Sequence, residues 1–273
     1  SGNSGWVINK INQLRLSAPT VVSAALTWER VTTLDLGVDA RFFDGQFGII
    51  FDWYKRITSD MHTAGATLPA TFGATSPKIN YGELTANGWE LALDYNHRFS
   101  NGLGLNLRGS LSHVTEKITK WSENDRIVTG NYEGKVLGEI WGYETEGIFQ
   151  SEEEVKSHAD QSLFETGTFK FGVGDIKYKD LNGDGVINYG DPNDKEHGTN
   201  TVENHGDLKV IGNSLPNFEY GFNIGLDYKG FDFSTYFQGV GKRDYWAYGN
   251  VAIPSGMSSL DAIFTHQLDY WTE

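Results

Sequence analysis

The chain contains no cysteine and only two methionines among its 273 residues. A disulfide scaffold, a thiolate zinc site and a cysteine nucleophile are therefore excluded. Positive charge is scarce: 22 Lys and Arg stand against 36 Asp and Glu, for a formal charge of −14. A nucleic-acid binder carries the opposite balance, so no nucleic-acid partner is expected. No apolar run approaches the ~18 residues that a membrane helix needs. A membrane β-barrel stays open, because its strands carry apolar residues only at every second position. The sequence also lacks GxSxG and a P-loop, and its seven histidines (62, 97, 113, 158, 197, 205 and 266) form no HxxxH or HxH pair. No carboxylate spacing singles out a glycosidase pair. No catalytic residue is assigned, and the chain is read as a non-enzyme.

What the chain has instead is 33 glycines, 14% aromatic residues and a persistent alternation with period two. Residues 34–42 place Leu34, Leu36, Val38, Ala40 and Phe42 on one face and Asp35, Gly37, Asp39 and Arg41 on the other. After Asp44-Gly45, residues 46–58 set Phe47, Ile49, Phe51 and Trp53 against Gly48, Ile50, Asp52 and Tyr54. Asp-Gly between two alternating runs is a strong hairpin signal. Residues 88–99 and 103–111 alternate on either side of Ser100-Asn101-Gly102, and 218–228 and 231–238 on either side of Lys229-Gly230. Three hairpins are expected, over 34–58, 88–116 and 217–240, with strands of about 10 residues. Long polar segments, 59–79, 117–135 and 151–210, join their other ends. Within the last, Ser151 followed three positions later by Glu154 predicts a short surface helix over 151–159.

Short turns at one end and long loops at the other are the layout of an outer-membrane barrel. A soluble β-sandwich alternates too, with its apolar face as the core. Two features favour the barrel. The apolar faces end repeatedly in Trp or Tyr (Trp28, Trp53, Tyr54, Trp89, Tyr95, Tyr220, Tyr228), which suits interfacial girdles. The opposite faces carry Asp, Glu, Asn, Arg, Gly and Ser, as a wet lumen would. Trp121, Trp141, Tyr143, Trp246 and Tyr248 lie in or beside loops, where they suit interfacial anchors better than sugar-stacking platforms. The expected fold class is all-β: an antiparallel transmembrane β-barrel segment with long extracellular loops and one short loop helix.

Residues 180–191, DLNGDGVINYGD, have calcium-loop spacing. Asp180, Asn182 and Asp184 occupy positions 1, 3 and 5, and Gly185 allows the sharp turn at position 6. Val186 would offer its carbonyl, Asn188 would act at position 9 through water, and Asp191 would close the set. Ile187 would pack inward. Calcium takes six to eight hard oxygens, and a structural calcium is expected here. The spacing is weak for an EF-hand, since Gly190 and Pro192 deny it an exiting helix. A dockerin would carry two such repeats. The plain alternative is an unmetallated Asx-rich turn.

The N-terminus, SGNSGWVINKINQ, has neither a charged n-region nor an apolar h-region, and FTHQLDYWTE stops without a turn or closing strand. The expectation is a piece of a longer protein.

Three stretches carry a family resemblance: LGEIWGYETEGIFQ at 137–150, GDIKYKDLNGDGVI at 174–187, and KVIGNSLPNFEYGFNIGLDYKGFDFSTYFQGVGKRD at 209–244. With TWERVTTLDLGVDARFF, FDWYKR and GWELAL before them, they resemble, in family order, the C-terminal part of the SusC/RagA family of TonB-linked outer-membrane transporters of Bacteroidetes. The resemblance runs from about Leu26 to the end. It implies a plugged barrel of about 22 strands in the outer membrane of a Gram-negative bacterium, importing an oligosaccharide or a peptide. The implied partners are a SusD-like surface lipoprotein, outer-membrane lipid, and TonB acting through an N-terminal part. The plug, the TonB box and the closing strands are missing here, so residues 1–273 read as the C-terminal portion of the barrel, with 151–210 an extracellular insertion. A soluble calcium-binding carbohydrate-binding or adhesion module is the alternative function.

Overall fold

The computed structural model describes residues 2–8, 11–15, 21–65, 68–74, 76–122, 126–249, 252, 263–269, 271 and 272, and side chains from residue 21 onward except that of residue 70. One six-stranded antiparallel sheet dominates. It is built from β3 (Arg30–Phe42), β4 (Phe47–Ala64), β5 (Lys78–Arg98), β6 (Gly104–Lys120), β11 (Phe218–Tyr228) and β12 (Phe231–Gly241), in the spatial order β12-β11-β6-β5-β4-β3. Neighbours in sequence are neighbours in space, except that 97 residues separate β6 from β11. That excursion holds β7 (Glu139–Tyr143), β8 (Thr145–Ile148), β9 (Ile176–Tyr178) and β10 (Leu208–Asn213), with β7 paired to β10 and β8 to β9. Near the N-terminus β1 (Gly2–Ile8) and β2 (Ile11–Arg15) form a hairpin that the alternation does not reveal.

The three predicted hairpins are present, with one correction. Strands β4, β5 and β6 have 18, 21 and 17 residues, well beyond the 9–11 that cross a bilayer. Residues 59–64, 78–87 and 117–120, expected in loops or outside the strands, continue the ladder instead. The polar and β-branched residues there break the alternation, and their backbone stays paired through register shifts near Met61 and Glu83. At the other end the turns are tight. Lys229 (φ 48°) and Gly230 (φ 87°) form a two-residue connection whose positive φ at both positions matches the strand twist.

The register sorts side chains by face without exception along the paired rows. Ala40, Ile49, Leu93, Gly109, Phe222 and Phe237 lie in one lateral row, and Val38, Phe51, Leu91, Leu111, Tyr220 and Gly239 in another. Toward the long-loop end, Leu36, Trp53, Trp89 and His113 are aligned, and the Phe218 ring lies 5.0 Å from that of His113. Toward the turns the face ends in Phe99, Tyr228 and Phe231. From Trp89 to Phe99 are ten steps of about 3.4 Å. At a tilt near 45° they cover ~24 Å of height, matching the apolar band of about 25 Å on an outer-membrane barrel.

Among the described residues none covers this face: Leu36, Val38 and Phe233 are 60%, 62% and 58% exposed. A soluble sandwich would bury them as its core. The described core lies elsewhere, in the excursion (Val128, Tyr132, Phe149, Ile187 and Leu208) and at the long-loop end of the sheet (Ala86 and Ile118).

The other face is polar. Gly37, Asp52, Glu90, Ser112, Glu219 and Val240 form one of its rows, and Arg41, Gly48, Asp94, Arg108, Asn223 and Tyr236 another. Near the turns, two arginines reach across an intervening strand. Arg41 on β3 passes Gly48 on β4 to meet Asp94 on β5 at 2.6 Å. Arg98 on β5 passes Gly104 on β6 to meet Asp227 on β11 at 2.8 Å. Glycine on the middle strand clears the path. Tyr54 also lies on this face, its ring filling the space over Gly88. It is therefore a lumenal residue and not a girdle anchor, as its even position in the alternation requires.

Residues 92 and 93 separate the two faces experimentally. In the full-length protein, Leu93→Arg, near the middle of the band, is expected to cost about 2–4 kcal/mol in lipid, while Ala92→Arg stays within about 1 kcal/mol. Unfolding in urea after refolding into vesicles measures both. Equal penalties would sink the assignment of the faces.

Candidate functional site

Two features stand out beyond the sheet: the loop around 180–191 and the space between the excursion and the polar face. The excursion is a packed unit. Its helix α1 (Glu152–Ser157) starts where Ser151 Oγ accepts the Glu154 N–H at 3.2 Å. The reciprocal arm of the expected capping box differs: the Glu154 carboxylate accepts from the Gln150 N–H at 3.1 Å, which holds it below the usual carboxylate range. Trp141 and Tyr143, expected as membrane anchors, are half-buried within the excursion instead. Trp141 Nε1 donates to Glu139 Oε1 at 2.9 Å, and Tyr132 OH donates to the same carboxylate. Burial, then the Glu139 carboxylate, pushes the Tyr132 phenol well above its usual range. Tyr143 packs with Phe164 and Tyr178, and burial, followed by the nearby Asp207 charge, pushes its phenol up to about 12. Trp246 and Tyr248 are exposed.

The predicted calcium-like loop is wound as its spacing requires. Gly183 and Gly185 take positive φ (77° and 83°). The Asp180 carboxylate accepts the N–H groups of Gly183 and Gly185 at 2.7 and 2.9 Å. Asn182 Oδ1 accepts from the Asp184 N–H, and Asp184 Oδ1 from the Val186 N–H. Asn188 Nδ2 donates to the Val186 carbonyl at 3.1 Å and approaches Asp184 Oδ2 at 3.5 Å. Ile187 is fully buried, as expected. The structure thus links Asn182, Asp184, Val186 and Asn188 directly, and winds Asp180 onto the same turn. Asp191 is not brought in: its carboxylate accepts from the Asn193 N–H and side-chain amide at 2.8 and 3.0 Å. Among the described residues no three His, Cys, Asp or Glu side chains converge as a metal cluster.

The residue that holds this loop is one that spacing could not reveal. Asp207, fully buried, accepts the Leu181 N–H at 2.7 Å and the Asn188 N–H at 2.8 Å, and so ties together both limbs of the loop. Its own N–H donates to the Asn188 carbonyl. On the other side, Asp160 exchanges backbone hydrogen bonds with Gly185 and Ile187 at 2.8 Å. A lone Asp some 20 positions after the motif carries no sequence signal.

Between the excursion and the sheet lies a cavity of about 750 Å³. The sheet contributes Tyr54, Glu90, Ser112, Glu116 and Glu219, all from the polar face, and the excursion contributes Val136, Leu137, Ile211, Leu215 and Pro216. The far wall is fixed by backbone contacts: Asp244 accepts the Asn213 N–H at 2.7 Å, and Ser214 N–H donates to the Gly138 carbonyl at 2.7 Å. The cavity lies toward the long-loop end and straddles the Trp53–Trp89 row, with Glu90, Ser112 and Glu219 one step to its turn side and Tyr54 and Glu116 on its loop side.

An uncovered apolar band, a polar inner face and long excursions at one end together define a wall segment of a transmembrane β-barrel. The family described as TonB dependent receptor-like, beta-barrel, matches residues 3–272, and the chain belongs to that family. TonB-dependent receptor P26 of Formosa agariphila is 28% identical over 250 residues, covering 85% of this chain and 22% of that protein. TonB-dependent receptor P3 of the same organism is 27% identical over 254 residues, covering 87% and 23%. Among solved structures, the RagAB peptide transporter superposes with a TM-score of 0.57 at 17% identity, over 86% of this chain and 23% of that one. The SusC/RagA resemblance read from the motifs is borne out, and the chain's place is the outer membrane of a Gram-negative bacterium. The chain spans less than a quarter of the length of these relatives.

Replacing Asp207 by Ala should leave the part-buried Leu181 and Asn188 N–H groups without their acceptor, at about 1 kcal/mol each. Hydrogen exchange at residues 180–190 is expected to accelerate, with the sheet amides unchanged. Unaltered exchange there would remove Asp207 from its role.

Proposed function

We propose that this chain forms the C-terminal part of the wall of an outer-membrane importer for oligosaccharides or peptides. The observation that carries the reading is the sheet itself: an apolar band of bilayer height outside, a charged face inside, in a chain of the TonB-dependent receptor family. Such a wall has no catalytic task. It separates lipid from a polar path and presents the excursion, including the predicted insertion 151–210, at the mouth of that path. In this reading a SusD-like lipoprotein meets the excursion from outside. TonB acts through a part of the protein that precedes this one. Cells lacking the full-length protein are expected to lose accumulation of at least one labelled glycan or peptide, with recovery on complementation only while the inner membrane is energised. Accumulation that persists in the deletion strain across a panel of both classes would defeat the reading.

A structural calcium in the 180–191 loop belongs to the same proposal. Asp180, Asn182, Asp184 and the Val186 carbonyl are the oxygens that fit it. Without Asp191 the set is short of ligands, so water would complete the shell. The ion would draw together carboxylates that otherwise repel. Affinity should then be in the 10⁻⁴–10⁻³ M range of extracellular calcium modules. Millimolar calcium is expected to slow hydrogen exchange across 180–190 in the full-length protein, and Asp184→Asn to abolish that effect. Identical exchange in calcium and in chelator would refute it.

A further inference from the structure

The cavity between the excursion and the sheet has two unlike walls, and their chemistry specifies a ligand. On the excursion side Leu137, Ile211 and Pro216 present aliphatic surface. On the sheet side stand Glu90, Glu116 and Glu219, whose carboxylates make no hydrogen bond or ion pair among the described residues. Two further carboxylates on the wall are already committed: Glu139 to Tyr132 and Trp141, and Asp244 to the Asn213 N–H. Lys242 is the sole Lys or Arg lining the space, so the wall stays acidic.

The register makes the imbalance sharper. Glu90 is paired directly opposite Asp52 on β4, while Ser112 alone separates it from Glu219 on β11. Like charges directly opposite each other on neighbouring strands destabilise a sheet. Near the turns, the same polar face pairs Asp94 with Arg41 and Asp227 with Arg98. At the cavity it does not, although Ser112 occupies a position from which a cation would bridge the row.

We infer that this cavity binds lysine or arginine side chains of an imported peptide. This rests on the import reading and narrows its substrate to a cationic peptide. The aliphatic stem of such a side chain suits the Leu137–Ile211–Pro216 wall, and its charged head suits the carboxylate row. A volume of about 750 Å³ falls within the range of small-ligand sites and holds a residue or two, not a folded partner. A neutral glycan would leave the carboxylates uncompensated.

The test uses the full-length protein in detergent and three probes: a fluorescent Leu-Lys-Leu-Lys peptide, the same peptide with both lysines acetylated, and a neutral oligosaccharide. The lysine peptide should bind most tightly, and less so as salt is raised. Glu90→Gln combined with Glu219→Gln should weaken it about fivefold while leaving the acetylated peptide unchanged. Ser112→Lys, which places a cation in the row without removing a carboxylate, should act in the same direction and serves if the double variant misfolds. Equal affinity for the lysine and acetylated peptides, tighter binding of the oligosaccharide, or folded variants with unaltered affinity would overturn the inference. Uptake by cells reports separately on the import reading: selective binding of the lysine peptide without its accumulation would refute import and leave the site standing.

Discussion

Backbone N–H and C=O groups inside a bilayer have no water to bond, and the antiparallel ladder from β3 to β12 is what satisfies them. The rest of the molecule is arranged around that requirement. Because pairing must be continuous, tight turns join the strands at one end, and every irregular segment is displaced to the other. Because the ladder fixes register, each side chain is committed to lipid or lumen by its parity alone. Glycine is used where a side chain from one strand must cross its neighbour, as at Gly48 beneath Arg41 and Gly88 beneath Tyr54.

The sheet has almost no core of its own, since lipid takes the place of packed protein on its apolar face. The excursion between β6 and β11 solves the opposite problem. It leaves the bilayer and must fold in water, so it carries a protein-like interior of Phe149, Ile187, Val128 and the Tyr132–Glu139–Trp141 cluster. Its strands are short, and much of its order comes from side chains that cap backbone groups. Asp207 does this for the 180–191 loop from within the core. A polar residue with no exposure is affordable there because two amides and one buried carboxylate satisfy one another.

The cavity belongs to neither unit alone. Its carboxylate wall is a by-product of lumenal parity, and its aliphatic wall comes from the excursion folding back. Hydrogen bonds from the Leu137 N–H to the Glu116 carbonyl and from the Asn213 N–H to Asp244, just past β12, tie the two together. The result is an amphiphilic space at the mouth of the path that a substrate would take.

Alternation and turn chemistry in the sequence determined the six-stranded sheet, its three hairpins and its two faces, because a period of two is a local property that survives without any partner. The same locality made the winding of residues 180–191 legible from Asp180, Asn182, Asp184 and Gly185. Strand extension past Thr58 and before Gly88 was not legible, since backbone pairing there is imposed by a neighbouring strand and not by side-chain pattern. Nor was the fate of Trp141, Tyr143 or Asp191: an aromatic in a loop reads the same whether it anchors in a membrane or fills a core. Asp207 and the placing of Glu90 opposite Leu137 and Ile211 across one cavity were decided only by tertiary structure, which brings together residues far apart in the chain through contacts that no local spacing encodes.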